Sequence, residues 1–148
     1  MDKYWNRLIY RNTEDRFPLW LYLTLAYTLS NGMAFTFFGH SKSVSASVLF
    51  QLTSNFGGSH FVSLWGLLAI AAVVLTILNL LVRYRPISGL GPTIGYLVWL
   101  YATLVYLTHG YLFQMVPAVI QLAFWLHHHM RLLNYRHNVD AGIETPPN

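Results

Sequence analysis

From Phe61 to Val82 the chain runs FVSLWGLLAIAAVVLTILNLLV, with no charged residue until Arg83 closes the run. At about 1.5 Å per residue a helix of this length crosses a hydrocarbon core of about 30 Å. A soluble helix of the same length would carry a polar face, and none is present. Instead Gly66, Ala69, Ala72, Thr76 and Asn79 recur every three or four residues within one arc, and Leu, Ile and Val fill the rest. Small residues let two backbones approach closely in lipid, and an amide such as Asn79 can hydrogen-bond to a neighbouring helix. The pattern predicts a central transmembrane helix with a helix-packing face.

Three further apolar stretches flank it. The first runs from about Pro18 to Phe38, with Thr24, Thr28 and Asn31 on one face. The third covers about 93–108. The fourth covers about 111–130 and carries Gln114, Ala118, Gln121, Trp125 and His128 as a polar stripe, with Pro117 removing a backbone donor and bending the helix. The turn at His109-Gly110 is so short that the third and fourth spans must form an antiparallel hairpin. Between the first two spans, residues 43–56 place Val44, Val48, Leu52 and Phe56 at helical spacing opposite serines and Gln51. This segment is too short to span and predicts an interfacial or re-entrant helix ending at Gly57-Gly58. The expected architecture is an all-α integral membrane protein, a single domain over 1–148 with four transmembrane helices (18–38, 61–82, 93–108, 111–130).

The ends differ from the middle. Residues 1–16 place Trp5, Leu8 and Ile9 on one face and Lys3, Arg7 and Arg11 around the other, a short amphipathic pattern suited to the interface. Asn12 to Asp15 read as a turn and helix start before Pro18. In the loop after the second span, Arg83 and Arg85 anchor at the headgroups and Pro86 ends the helix. Residues 138–148 read as a flexible polar tail. Val44-Ser45-Ala46 resembles a signal cleavage site, but the apolar stretch before it is too long for a signal core.

Composition sharpens this picture. Of 148 residues 55% are hydrophobic and 9% charged, where a soluble domain carries about a quarter charged. No acidic residue occurs between Asp15 and Asp140. The net charge of +4 sits in the flanks, where topology and anionic lipid account for it and a nucleic-acid partner is not implied. In the four-span arrangement eight basic residues (Lys3, Arg7, Arg11, Arg16, Arg83, Arg85, Arg131 and Arg136) fall on one side and only Lys42 on the other. Both termini are therefore expected in the cytoplasm, in a bacterial inner membrane. No internal repeat suggests an inverted-repeat transporter.

Candidate chemistry is sparse. Cysteine is absent, which excludes disulfides and thiolate sites. His40, His60 and His109 share the outer side and would hold a metal only if the loops brought them together. The spacing does not require it, so no metal is expected. His127-His128-His129 point about 100° apart on a helix at the end of the fourth span, where anchoring explains them. No Asp, Glu, Lys or Arg lies inside a span, which argues against proton-coupled transport. A hydrolase would need an orienting carboxylate from a terminus. The amides Asn31, Asn79, Gln114 and Gln121 read as packing contacts or, in an oligomer, as a pore lining. Gly89 and Gly91 do not have the spacing of a dinucleotide-binding loop. The deeper aromatics Trp65, Trp99, Tyr101 and Tyr106 fit ordinary packing and also allow contact with lipid, quinone or pigment.

The stretch SVLFQLTSNFGGSHFVSLWGLLAIAAVVLTI, with Trp65-Gly66 following Gly57-Gly58, resembles small holin-like membrane proteins of tailed bacteriophages. There, a short amphipathic segment and a Gly-rich turn precede a Trp-Gly pair that opens a span. The resemblance covers about a fifth of the chain and implies no catalytic residue. The expected function is non-enzymatic: a small membrane protein that self-associates or packs with partner subunits. The alternative is an accessory subunit of a larger respiratory, photosynthetic or transport complex.

Overall fold

The computed structural model describes residues 19–82 and 89–142. The amphipathic leader, the helix start at Pro18, the anchors Arg83 and Arg85, the stop at Pro86 and the last six residues lie outside them. The described residues form helices and short turns: α1 (Leu19–Phe37), α2 (Lys42–Ser45), α3 (Val48–Val82), α4 (Leu90–Thr108) and α5 (Leu112–Asp140). The expected all-α class is what these residues adopt. Two of the helices, α3 and α4, are long and apolar enough to cross a membrane. α1 and α5 are long enough but more polar, because Thr24, Thr28 and Asn31 interrupt one and two glutamines and three histidines interrupt the other.

Three boundaries differ from the pattern-based expectation. The helix expected at 43–56 is divided between α2 and the start of α3. Its second part meets the second span across a kink at Gly58 (φ 74°, ψ −172°), a non-helical residue at the expected Gly57-Gly58 end. Glycine adopts this conformation without the Cβ penalty that other residues meet. α4 begins at Leu90, with Pro92 in its first turn, where a missing N–H costs nothing. α5 runs ten residues past Met130 to Asp140, so residues 138–140 are helical and not tail. The buried Leu132 continues the line of Trp125 and His128 along α5 and ties this extension to the bundle.

Consecutive long helices pack antiparallel, α1 on α3, α3 on α4 and α4 on α5, and a slimmer α1/α5 contact closes the bundle. The α1/α3 crossing is set by glycine. A Cβ on Gly32 of α1 would lie 2.9 Å from the Gly66 carbonyl oxygen, and one on Gly66 would lie 2.9 Å from the Gly32 carbonyl oxygen. The two backbones therefore touch, as small residues permit. The core between them is aromatic and small: Phe35, Trp65, Ala69, Ala72, Trp99, Ala102 and Trp125.

Candidate functional site

The interior of the bundle is organised by one hydroxyl. Thr28 Oγ1 on α1 accepts the indole N–H of Trp99 on α4 at 2.9 Å and that of Trp125 on α5 at 3.0 Å. All three residues are buried. A hydroxyl oxygen has two lone pairs, so one threonine satisfies two donors that water cannot reach. Trp65 on α3 sits edge-on to Trp99, with ring centroids 5.8 Å apart, and donates to the Val98 carbonyl at 3.3 Å. Tyr27 stacks on Trp99 from α1 at 5.5 Å. Gly95 leaves room for the Trp125 ring, which a Cβ there would strike. These tryptophans join all four long helices at mid-bundle.

The helix-packing face Gly66, Ala69, Ala72, Thr76 and Asn79 is buried along its whole length. Its neighbours belong to the same chain. Gly32 meets Gly66 and Ala69, and Gly91 of α4 comes against Ala72 and Thr76 so closely that a Cβ would lie 2.9 Å from the Ala72 carbonyl oxygen. Gly91 thus serves helix crossing. Thr76 returns its hydroxyl to the Ala72 carbonyl at 2.7 Å, whereas neither amide atom of Asn79 has a partner.

The stripe on α5 is not one surface. Ala118, Gln121 and His128 are buried and Gln121 is 7% exposed, while Gln114 is exposed. Pro117 lies between them and removes one rung of the backbone ladder. The turn before it is exposed, Phe113 at 91%. Gln114 and Pro117 instead line a cavity of about 210 Å³ at the α1/α5 seam. Tyr27, Asn31 and Phe35 form its α1 wall, Trp99 and Tyr106 its α4 wall, and Ser47, just before α3, closes it together with Leu49 of α3. Asn31 donates to the Tyr27 carbonyl at 2.9 Å. The lining is aromatic and amide-bearing without a charged side chain.

His40, His60 and His109 are all exposed, and His109 turns its Nδ1 to the Val105 carbonyl at 2.9 Å. Among the described residues no three His, Asp or Glu side chains converge as metal ligands. His127 and His129 do not share the burial of His128. His127 is exposed beside Trp20, and His129 lies 3.4 Å from Thr93 Oγ1.

Thr28, Gly32, Gly91 and Gly95 are the positions the pattern did not single out as a site. The Gly91-x-x-x-Gly95 spacing was a legible sign of close packing. Thr28 carried no sign beyond its place on the polar face of the first span, because its two donors lie 71 and 97 residues away. Comparison of the chain with family models, curated proteins and solved structures finds no match.

Proposed function

We propose that the chain is a four-span integral membrane protein, non-enzymatic, that self-associates or packs with partner subunits. One observation carries the membrane part: all four long helices expose large apolar side chains, while the few polar ones are kept inside. Thr24, Thr28, Gln121, Thr76, Asn79 and His128 are inside. Leu23, Met33 and Phe37 of α1, Leu67, Val74 and Leu78 of α3, Leu97 and Leu104 of α4, and Val116, Ile120 and Leu126 of α5 are outside. In water such an exterior would aggregate, since soluble monomers rarely expose apolar patches of more than a few hundred Å². In lipid it is the natural exterior, with polar groups kept for helix contacts. At 19 residues each, α1 and α4 extend about 28 Å, which matches the hydrocarbon core.

The absence of cysteine makes the topology directly testable. Ser41→Cys and His109→Cys are expected to react with an impermeant maleimide from outside intact cells, and His137→Cys only after permeabilisation. Labelling of positions 41 and 137 from one side rejects four spans with cytoplasmic termini.

The association part rests on α5. Gln114 is an exposed amide among Leu112, Phe113 and Val116, and in lipid an amide is costly unless it meets a partner. The small face of α3 is occupied within the chain, so the contact with a second copy runs over the first turns of α5. Phe113→Cys is expected to form a disulfide-linked dimer under mild oxidation in native membranes, and Gln114→Leu should weaken it. A chain that stays monomeric there removes the self-associating reading. Liposome leakage by the reconstituted protein would extend that reading to a holin-like role, and leakage undiminished by Gln114→Leu would exclude this amide as a pore lining. The seam cavity favours the second reading, an accessory subunit whose neutral aromatic-lined site contacts a lipid or cofactor of a larger complex. Co-purification of other chains would support it.

A further inference from the structure

Below the tryptophan layer, towards the end of the bundle that carries Arg131, three buried side chains have no hydrogen-bond partner: Thr24 Oγ1, both amide atoms of Asn79, and both ring nitrogens of His128. Each of the three residues is 1% exposed. They come from three helices: Thr24 and His128 each stand one turn beyond the tryptophan layer, and Asn79 about one turn further. Thr24 stands on α1 between Trp20, whose ring centroid is 6.4 Å from that of His128, and Thr28, which holds Trp125. His128 is the next inward position after Trp125 on α5. Asn79 is one turn beyond Thr76, which meets Gly91, and Gly91 is one turn beyond Gly95, which meets Trp125.

Buried polar atoms of native proteins are nearly always paired, with protein or with ordered water. Leaving one unpaired costs about 1–3 kcal/mol, so five such atoms in one end of a bundle would rival the about 5–15 kcal/mol that holds a whole domain together. Asn79 offers two donor hydrogens and an acceptor, a neutral imidazole one donor and one acceptor, and Thr24 one of each. An internal water needs two to four such partners, and these three side chains supply them.

We propose that Thr24, Asn79 and His128 enclose an internal water site, a hydrated polar chamber inside the apolar shell of the bundle. Ionisable side chains buried in membrane proteins characteristically face such cavities. The inference rests on the four-span reading, whose own test is the cysteine labelling at positions 41, 109 and 137, so that the failure of one is distinguishable from the failure of the other.

Radiolytic footprinting of the full chain in phosphatidylethanolamine–phosphatidylglycerol liposomes tests it, because hydroxyl radicals made from bound water oxidise the side chains beside it. His127, exposed and adjacent in sequence, is the internal reference. Oxidation of His128 at one-tenth of the His127 rate or faster is expected, despite its burial. A slower rate identifies a dry site and overturns the proposal. Asn79→Leu should lower the His128 rate at least threefold and leave that of His127 unchanged. A His128 rate that this variant leaves within threefold means the water is not held here, and also overturns it.

Discussion

Trp125 donates its indole N–H to Thr28 across 97 residues of sequence, and the same oxygen receives the indole of Trp99. Replacing Thr28 with Val keeps the shape and removes the acceptor, leaving two buried donors unpaired. Each is expected to cost about 1–3 kcal/mol. Thr28→Ser keeps the oxygen and should lose less than half as much. Unfolding in mixed detergent micelles, followed by tryptophan fluorescence, measures both. Equal loss in the two variants would assign the effect to packing and not to the shared acceptor.

At the α1/α3 crossing, Gly66→Ala introduces a Cβ against Thr36 Oγ1 and 2.9 Å from the Gly32 carbonyl oxygen. Two backbones must separate to admit it, and overpacking of this kind costs about 1–3 kcal/mol. Because this face is buried within the chain, the variant should lose stability while dimer crosslinking at the start of α5 is retained. Cross-linking of the folded fraction separates the two effects.

The kink of α3 rests on backbone conformation alone. Gly58 has φ 74°, and no atom would lie within 4 Å of an added Cβ. Gly58→Ala therefore meets strain without a clash. A loss of about 1–3 kcal/mol is expected, because φ 74° with ψ −172° is a conformation essentially confined to glycine. Hydrogen–deuterium exchange should quicken in residues 48–58 and remain unchanged in α4. A neutral result would mean that the segment relaxes into a straight helix.

Pro117→Ala restores a donor to the Phe113 carbonyl and permits a straighter α5. Exchange of the amides around 113–121 should slow at least threefold. Gln114 should lose its place at the seam cavity, read as slower labelling of Gln114→Cys by a maleimide in the Pro117→Ala background. An unchanged rate would show that Gln114 is positioned by the hairpin turn and not by the proline.

The spacing along the chain was enough to determine the helices, the arc of small residues on the second span and the hairpin between the last two, because helix period, length and turn signals are local properties. Helix ends were less legible. The stop at Gly58 was legible, but the break between α2 and α3 was not, and α5 outruns its apolar stretch because Leu132 finds a core position. What only tertiary structure decided is which polar groups meet. Gln114 and Gln121 share a stripe by spacing, yet the fold leaves the first exposed and buries the second. Asn79 and His128 show the same identity to the sequence as any amide or imidazole at a span end. Their isolation comes from three helices closing around them. Thr28 was one of several threonines on a face until two indoles from distant helices arrived at its oxygen. Pairing of buried donors is a property of the space between elements, and no period along one element encodes it.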